Sequence, residues 1–329
     1  MLFHKKEMEK LKDANICLRQ QVHDLSRRIE GCENDCRKLA DICSENGCLK
    51  EQLEKLRLRL WHMGYEYDRL FCEAELCKVE QTVPGNRKRL SQLKGMYAGR
   101  RCFIVGNGPS LQMQDLERIK GEVSFACNRI AEAYPHTSWR PDYYLCTDTI
   151  AFADKVAGLI KNEKNILLPV DFLAYMSSAD SAIFYPLFRR YSIVPEFSTN
   201  ILTGGAYDGS TVLYTAAQFA VYMGFRQIIL LGVDADYPMT VLPDGRKVVD
   251  WKVRSHFYEN SLEDAGAIKE FSSWVDYNDT VHRGLYAFTD GWKMLQYQSK
   301  QLGIEVINAS RGGRLDMFQR KKLEEICIG

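Results

Sequence analysis

The first part of the chain has apolar positions at alternating steps of three and four, which is the spacing of a coiled-coil seam. Leucine fills most d positions, and the polar Asn15 occupies an a position. This pattern favours a parallel two-stranded coil, because two Asn side chains satisfy each other in that register. It therefore predicts a homodimer. The seam consists of Met8, Leu11, Asn15, Leu18, Val22, Leu25, Ile29, Cys32, Cys36, Leu39 and Cys43.

The seam breaks at Asn46 and Gly47 and resumes three residues out of step. Such a shift is a stammer or a helix break, and Gly47 permits a bend. The alternative to a homodimer is therefore a helical hairpin that folds back on the rest of the chain. Residues 1–83 are predicted as a helical coiled coil, 84–97 as a linker and 98–329 as the catalytic domain.

A short β-rich run, a glycine turn and a helix-like stretch follow in order from Cys102. Together they predict the first unit of a nucleotide-binding fold. Further β-rich runs are VSFACNRI, PDYYLCTDTI, NILLPV and QIILLGVD, with helical patterns between them. The economical fold class is α/β, with a doubly wound, mostly parallel Rossmann-like sheet behind the N-terminal coiled coil.

Composition narrows the classes of function. The chain has 44 Lys and Arg against 43 Asp and Glu, a net charge of +1. Its overall electrostatic field therefore does not attract nucleic acid or a membrane surface. Its 11 Cys residues are scattered, and no apolar run approaches the roughly 18 residues of a membrane span. We expect a cytoplasmic protein with free thiols and no transmembrane segment; peripheral contact with the inner membrane face stays open.

Several segments, taken in order, resemble the bacterial sialyltransferases of glycosyltransferase family 42. They resemble more closely the related motility-accessory-factor and 6-hydroxymethylpterin pyrophosphokinase-like family. The resemblance covers about residues 98–325 and implies a sialyltransferase-like, GT-A-type variant of the sheet. Its carriers are IVGNGPSL, ACNR, PDYYLCTD, DGSTV, MGFRQIILLGVD, SHFYEN and INASRGGRLDMF.

The resemblance implies a binding site for the nucleotide and the donor sugar at turns and strand ends. The first glycine turn would cradle the phosphate and ribose, and the other residues would line the same cleft. The candidates are Gly106, Asn107, Gly108, Ser110, Asn128, Asp148, Gly209, Ser210, Thr211 and Asp234.

The catalytic candidates are His256 as the base, with Tyr237 and Tyr258 helping the phosphate to leave. His282 is the alternative base, and a scaffold role is the alternative for His256. We favour His256 because the nearby Tyr258 and Glu259 could orient its imidazole.

Two charged motifs leave alternatives open. Asp234 and Asp236 form a DxD that would hold Mg²⁺ or Mn²⁺, or else Asp234 shapes the cleft by hydrogen bonding. Arg311 and Arg314 would bind an acidic sugar or a phosphate, or else they form a basic turn that stabilises the C-terminal region. The aromatic stretch from Phe271 to Trp292 is a candidate lid and acceptor surface, or else core.

The expected function is a glycosyltransferase that moves a sugar, including a sialic-acid-like sugar, from a CMP-activated donor to a glycan or protein acceptor. The reaction would serve the synthesis of bacterial surface polysaccharide or the glycosylation of flagellin, and it would require no cofactor. One alternative is a 6-hydroxymethylpterin pyrophosphokinase-like diphosphotransferase that uses magnesium-bound ATP. The other is a non-catalytic coiled-coil scaffold with a degenerate nucleotide-binding domain.

Overall fold

The structure is a computed structural model. It describes residues 2–42, 47–148, 163–176, 182–189, 196–236, 238–241, 243, 247–250, 253–259 and 288–327. The helices are α1 Leu2–Ile42, α2 Gly47–Thr82, α3 Asn86–Gln92, α4 Met113–Arg118, α5 Ile201–Gly204, α6 Val212–Tyr222, α7 Phe288–Leu302 and α8 Leu323–Ile326. Two 3-10 helices, Asn128–His136 and Val170–Tyr175, follow strands.

The strands are β1 Arg101–Val105, β2 Ser124–Cys127, β3 Tyr143–Leu145, β4 Ile166–Pro169, β5 Ala182–Tyr185, β6 Leu187–Phe188, β7 Ala206–Tyr207, β8 Gln227–Leu231, β9 Met239–Val241, β10 Lys247–Val249, β11 Glu305–Asn308 and β12 Gln319–Arg320. Eight of them form one sheet in the order β12-β11-β8-β1-β2-β3-β4-β5. Every pairing in this sheet is parallel. The predicted fold class is therefore confirmed.

The sheet separates two hydrophobic core clusters. In β1, Cys102 and Ile104 face one cluster, while Phe103 and Val105 face the other. Successive side chains of a strand point to opposite faces, and strands that are buried on both faces are apolar throughout. This explains why the predicted strands are continuous apolar runs rather than alternating ones.

The N-terminal helices α1 and α2 pair antiparallel within one chain. The side-chain amide of Asn15 donates to the carbonyl oxygen of Ala74 at 2.7 Å, and Arg19 lies 3.7 Å from Glu75. Asn15 is buried by this contact, so its polar group is satisfied without a second Asn15. This is the helical hairpin that the sequence left as the alternative; the homodimer stays a prediction. Among the described residues, no helix is both long enough and apolar enough to span a bilayer.

The end of α2 and the predicted linker both belong to the folded α/β domain. Leu76 and Val79 of α2 lie in the two core clusters. The residues predicted as a linker contain α3, whose Asn86 exchanges two hydrogen bonds with the backbone of Phe184 at 2.8 and 2.9 Å. Pro84 and Gly85 are typical of linkers as well as of tight turns between helices, so the sequence does not reveal these contacts. The predicted domain bounds stay a prediction.

Candidate functional site

A cleft lies where the strand order reverses, at the carboxyl ends of β1 and β8. The chain builds β2 to β5 on one side of β1, and β8, β11 and β12 on the other. Open parallel sheets bind ligands at this switch point. The cleft is lined by Asn107, Gly108, Cys127, Asn128, Thr211, Val212, Leu213, Gly232, Val233, Asp234, Ala235, Asp236, Ser255, His256 and Trp292.

Three N–H groups of the first glycine turn donate to acceptors within the protein. Gly106 and Gly108 donate to the carbonyl oxygens of Leu231 and Gly232, both at 2.8 Å. Ser110 N donates to Oδ2 of Asp234 at 2.9 Å. These three N–H groups therefore connect the ends of β1 and β8, and the binding of a phosphate by this turn stays a prediction.

Glycine is required at two positions of this turn for close approach. A Cβ on Gly106 would lie 2.5 Å from the carbonyl oxygen of Gly232, and one on Gly108 would lie 2.3 Å from Oδ2 of Asp234. Any larger residue would separate the ends of β1 and β8. These two glycines thus allow the close approach of β1 and β8 that shapes the cleft, and their contact with a nucleotide stays a prediction.

Two asparagine oxygens at the cleft are buried without a hydrogen-bond partner. The amide nitrogen of Asn107 donates to the carbonyl oxygen of Cys127 at 3.1 Å, which leaves its Oδ1 unsatisfied. Oδ1 of Asn128 is also unsatisfied, and this residue has a φ of 50° directly after β2. Buried acceptors without partners are rare, so a ligand that donates hydrogen bonds would satisfy both.

The glycine-rich turn before α6 brings the start of that helix to the cleft. Thr211 precedes α6, and Thr211, Val212 and Leu213 all line the cleft. Gly209 and Ser210 form this turn, with φ of 57° and 61°. A Cβ on Gly209 would lie 2.1 Å from the Tyr214 ring, so this glycine has a packing role.

Asp234 shapes the cleft by hydrogen bonding, as one of the two alternatives expected. It is 6% exposed; its Oδ2 accepts from Ser110, and its carbonyl oxygen accepts from Arg314 N at 2.8 Å. Asp236 is exposed. Within the described ranges, no group of three or more His, Cys, Asp or Glu is placed to hold a metal. A site for Mg²⁺ or Mn²⁺ that also uses amide oxygens stays an open hypothesis.

Arg311 makes a bidentate ion pair with Asp115 at the start of α4. Its Nη2 lies 2.7 Å from Oδ1 of Asp115, and its Nη1 contacts the other carboxylate oxygen. Asp115 is fully buried and also accepts from the backbone N–H of Gln112 at 3.2 Å. This agrees with the alternative in which the basic turn stabilises the C-terminal region. Arg314 is exposed, and its backbone binds Asp234.

His256 lines the cleft and is held by its neighbours. The hydroxyl of Ser255 lies 3.1 Å from Nδ1 of His256. The Tyr258 ring stacks on the imidazole, and the guanidinium of Arg129 lies 4.5 Å from the centroid of the Tyr258 ring on the same side of the cleft. Phe257 N donates to the carbonyl oxygen of Asn107 at 2.9 Å, which fixes the segment over the glycine turn.

Sequence reasoning missed Arg129, although it ends the ACNR motif that carries the resemblance. Trp292, which ends the aromatic stretch predicted as a lid and acceptor surface or else as core, lines the cleft. Tyr237 and His282 lie outside the described residues, as does most of the stretch from Phe271 to Trp292.

Asp148 lies outside the cleft lining, beyond the end of β3. It is exposed and belongs to a group of carboxylates near Arg189. Arg189 donates to the carbonyl oxygen of Thr147 at 2.8 Å and to Asp171 at 2.9 Å. Burial raises the pKa of the carboxyl of Asp208, and Arg189 opposes that rise. None of these residues is among those that line the cleft.

Cys127 is the thiol at the floor of the cleft. Burial raises the pKa of this thiol, and nearby Cys146 raises it further. A protonated buried thiol is a poor nucleophile. Cys127 therefore acts as a packing residue.

Residues 79–240 match a family described as 6-hydroxymethylpterin diphosphokinase MptE-like. The resemblance to this family is confirmed. The MptE-like region contains the glycine turn, both asparagines and the start of α6, whereas His256, Trp292 and Arg311 lie beyond it.

One similar solved structure is the MAf glycosyltransferase from Magnetospirillum magneticum AMB-1, with 16% sequence identity and a TM-score of 0.42. The match covers 78% of this chain and 42% of that one, so this chain spans less than half the length of that protein. No curated protein matches the chain.

Proposed function

We propose that the protein is a glycosyltransferase that takes a sugar from a CMP-activated donor and transfers it to a glycan or protein acceptor. The observation that carries this proposal is the pair of buried, unsatisfied Oδ1 atoms of Asn107 and Asn128 at the switch-point cleft. Ribose hydroxyls and the amino group of a nucleobase are hydrogen-bond donors. A nucleoside would therefore satisfy oxygens that the fold leaves unpaired.

His256 is the proposed base. It would take the proton of the acceptor hydroxyl while that oxygen forms a bond to the anomeric carbon and the bond from that carbon to the phosphate breaks. CMP leaves with the electron pair of the broken bond, so the step balances without an oxidant or a further reactant. The contact with Ser255 and the stack on Tyr258 support this role, because a base must be held at a fixed angle to the hydroxyl.

The competing proposal is a magnesium-dependent diphosphotransferase, which the description of the matched family favours. It would need Asp234 and Asp236 to act together on a metal-bound diphosphate. Oδ2 of Asp234 accepts from Ser110 and Asp236 is exposed, which disfavours this pair as a metal site; Oδ1 of Asp234 is buried without a hydrogen-bond partner and is the oxygen that such a site would use.

The test is the thermal stability of the protein with CMP, CDP, UDP, GDP or ATP, each with magnesium and with EDTA. We expect CMP to raise the melting temperature equally in both. Asn128→Gly should lose most of this rise while folding normally, because glycine suits the positive φ at this position. A rise only with ATP and magnesium would replace the proposal by the diphosphotransferase, and no rise with any nucleotide would favour the scaffold.

A further inference from the structure

The indole N–H of Trp292 is a buried donor without a partner. Trp292 is 0% exposed, it lines the cleft, and its Nε1 makes no hydrogen bond. An indole nitrogen can only donate, so this group is unsatisfied unless a ligand supplies an acceptor. Leaving a buried donor unpaired costs free energy, and Trp139 bears the same cost in the core. What distinguishes Trp292 is that it lines the cleft.

The N-terminus of α6 lines the same cleft. Val212 and Leu213, the first residues of this 11-residue helix, line the cleft, and Thr211 before them makes no side-chain cap. The first N–H groups of a helix have no acceptor within the helix, and its dipole favours a negative charge there. This helix end therefore offers donors of the same kind as the indole.

Packing between α7 and the turn before α6 holds these two groups together. A Cβ on Gly291 would lie 2.9 Å from the carbonyl oxygen of Gly209, so the backbones are in close contact just before Trp292 and Thr211. The same cleft contains acceptors without partners, the Oδ1 atoms of Asn107, Asn128 and Asp234. These acceptors suit hydroxyl or amino groups of a ligand, whereas the indole and the helix end suit an anion.

We propose that Trp292 Nε1 and the N-terminus of α6 bind an oxyanion of the substrate. Its source is the phosphate of the nucleotide or the carboxylate of an acidic sugar. This inference rests on the proposed function and deepens it. The anion site would thus lie outside the first glycine turn, because the N–H groups of Gly106, Gly108 and Ser110 already donate to acceptors within the protein.

The experiment compares the affinities of CMP and cytidine by calorimetry for the wild type, Trp292→Phe and Trp139→Phe. Trp139 is the matched control, because it is 2% exposed with an unpartnered Nε1 but lies in the core cluster on the far side of the sheet from α6. Trp292→Phe should weaken CMP binding about ten-fold or more, as for a lost hydrogen bond to a charged group, and cytidine binding less than about two-fold. Trp139→Phe should change neither.

A second measurement uses the wild-type protein and does not depend on the stability of a variant. CMP should shift the indole ¹H–¹⁵N signal of Trp292 and cytidine should not, the signal being assigned by Trp292→Phe or by elimination among the 5 tryptophans. If N-acetylneuraminic acid shifts it and CMP does not, the anion is the sugar carboxylate.

Equal losses of CMP and cytidine affinity in Trp292→Phe, or a signal that no anion moves, would overturn the inference while leaving nucleotide binding intact. Failure of the wild type to bind any nucleotide would instead overturn the proposed function, and this inference with it.

Discussion

The ring of Tyr258 lies parallel to the imidazole of His256, with centroids 4.9 Å apart and an angle of 5° between the planes. Arg129 covers Tyr258 at 4.5 Å from the ring centroid. Arg129 also pairs with Glu132 at 2.8 Å, so the guanidinium that contacts the Tyr258 ring is itself anchored. The stack explains how a histidine in an irregular segment can hold one orientation at the cleft.

The stack predicts that the Tyr258 ring, rather than its hydroxyl, matters to His256. Tyr258→Leu should lower the free energy of unfolding by about 1–3 kcal/mol and move the His256 Cε1–H NMR signal, because the ring contact and the cation–π contact are lost. Tyr258→Phe keeps the ring and should leave that signal in place. His256→Gln assigns the signal.

The sequence suggested a different role for Tyr258, as a hydroxyl that helps the phosphate to leave. That role would make Tyr258→Phe lose transferase turnover while the His256 signal stays unchanged. The two variants therefore separate support of the base from direct action on the leaving group.

The ion pair of Arg311 and Asp115 is predicted to be structural. Arg311→Met leaves a fully buried carboxylate unpaired, and because the Arg311 side chain is 36% exposed we expect a loss of about 1–3 kcal/mol, less than for a fully buried pair. Urea unfolding measures it, with the exposed Lys322→Met as the control. Adding Asp115→Asn should recover part of the loss.

The rise in melting temperature with CMP is the measurement that can contradict the structural role of Arg311. If Arg311→Met keeps its stability but loses the rise in melting temperature with CMP, then Arg311 binds the anion and the structural role is wrong.

The contact of α2 with α3 predicts a pH dependence. The hydrogen bonds from Arg87 lower the pKa of the Glu73 carboxyl, so its contribution to stability is present above its unfolded pKa and is lost as the pH falls. Because Glu73 is 41% exposed, Glu73→Gln should cost only about 0.2–1 kcal/mol at pH 7, and the difference should shrink between about pH 5 and 3.

Urea unfolding at several pH values measures this difference. Glu66→Gln, which removes an exposed carboxylate paired with Arg69 on the same helix, is the control and should show the smaller change. A Glu73→Gln deficit that grows as the pH falls would contradict the prediction.

The helical hairpin predicts that Asn15 stabilises the fold of a single chain rather than a dimer interface. Asn15→Ala should cost about 1 kcal/mol by removing the bond to Ala74, and this cost should not depend on protein concentration. Sedimentation equilibrium of both proteins checks it. A change in the monomer–dimer constant on substitution would instead place Asn15 at a homodimer interface, as the heptad pattern first suggested.

The sequence alone determined the elements and the fold class. Continuous apolar runs such as Gln227–Leu231 predicted buried parallel strands, and the spacing of the N-terminal leucines predicted long helices. These features depend on local periodicity and on which faces must be buried, so a single chain displays them. The predicted strands β1 to β4 and β8 are all present, with ends that differ by a few residues.

Only the tertiary structure decided how polar groups are paired. A glycine turn in a sequence looks the same whether its N–H groups meet a phosphate or, as for Gly106 and Gly108, the carbonyls of a neighbouring strand. Likewise Arg311 could not be assigned to Asp115, nor Asn15 to Ala74, because their partners lie far away in sequence. Hydrogen-bond partners depend on which segments the fold brings together, and that same packing brings Trp292 beside the start of α6.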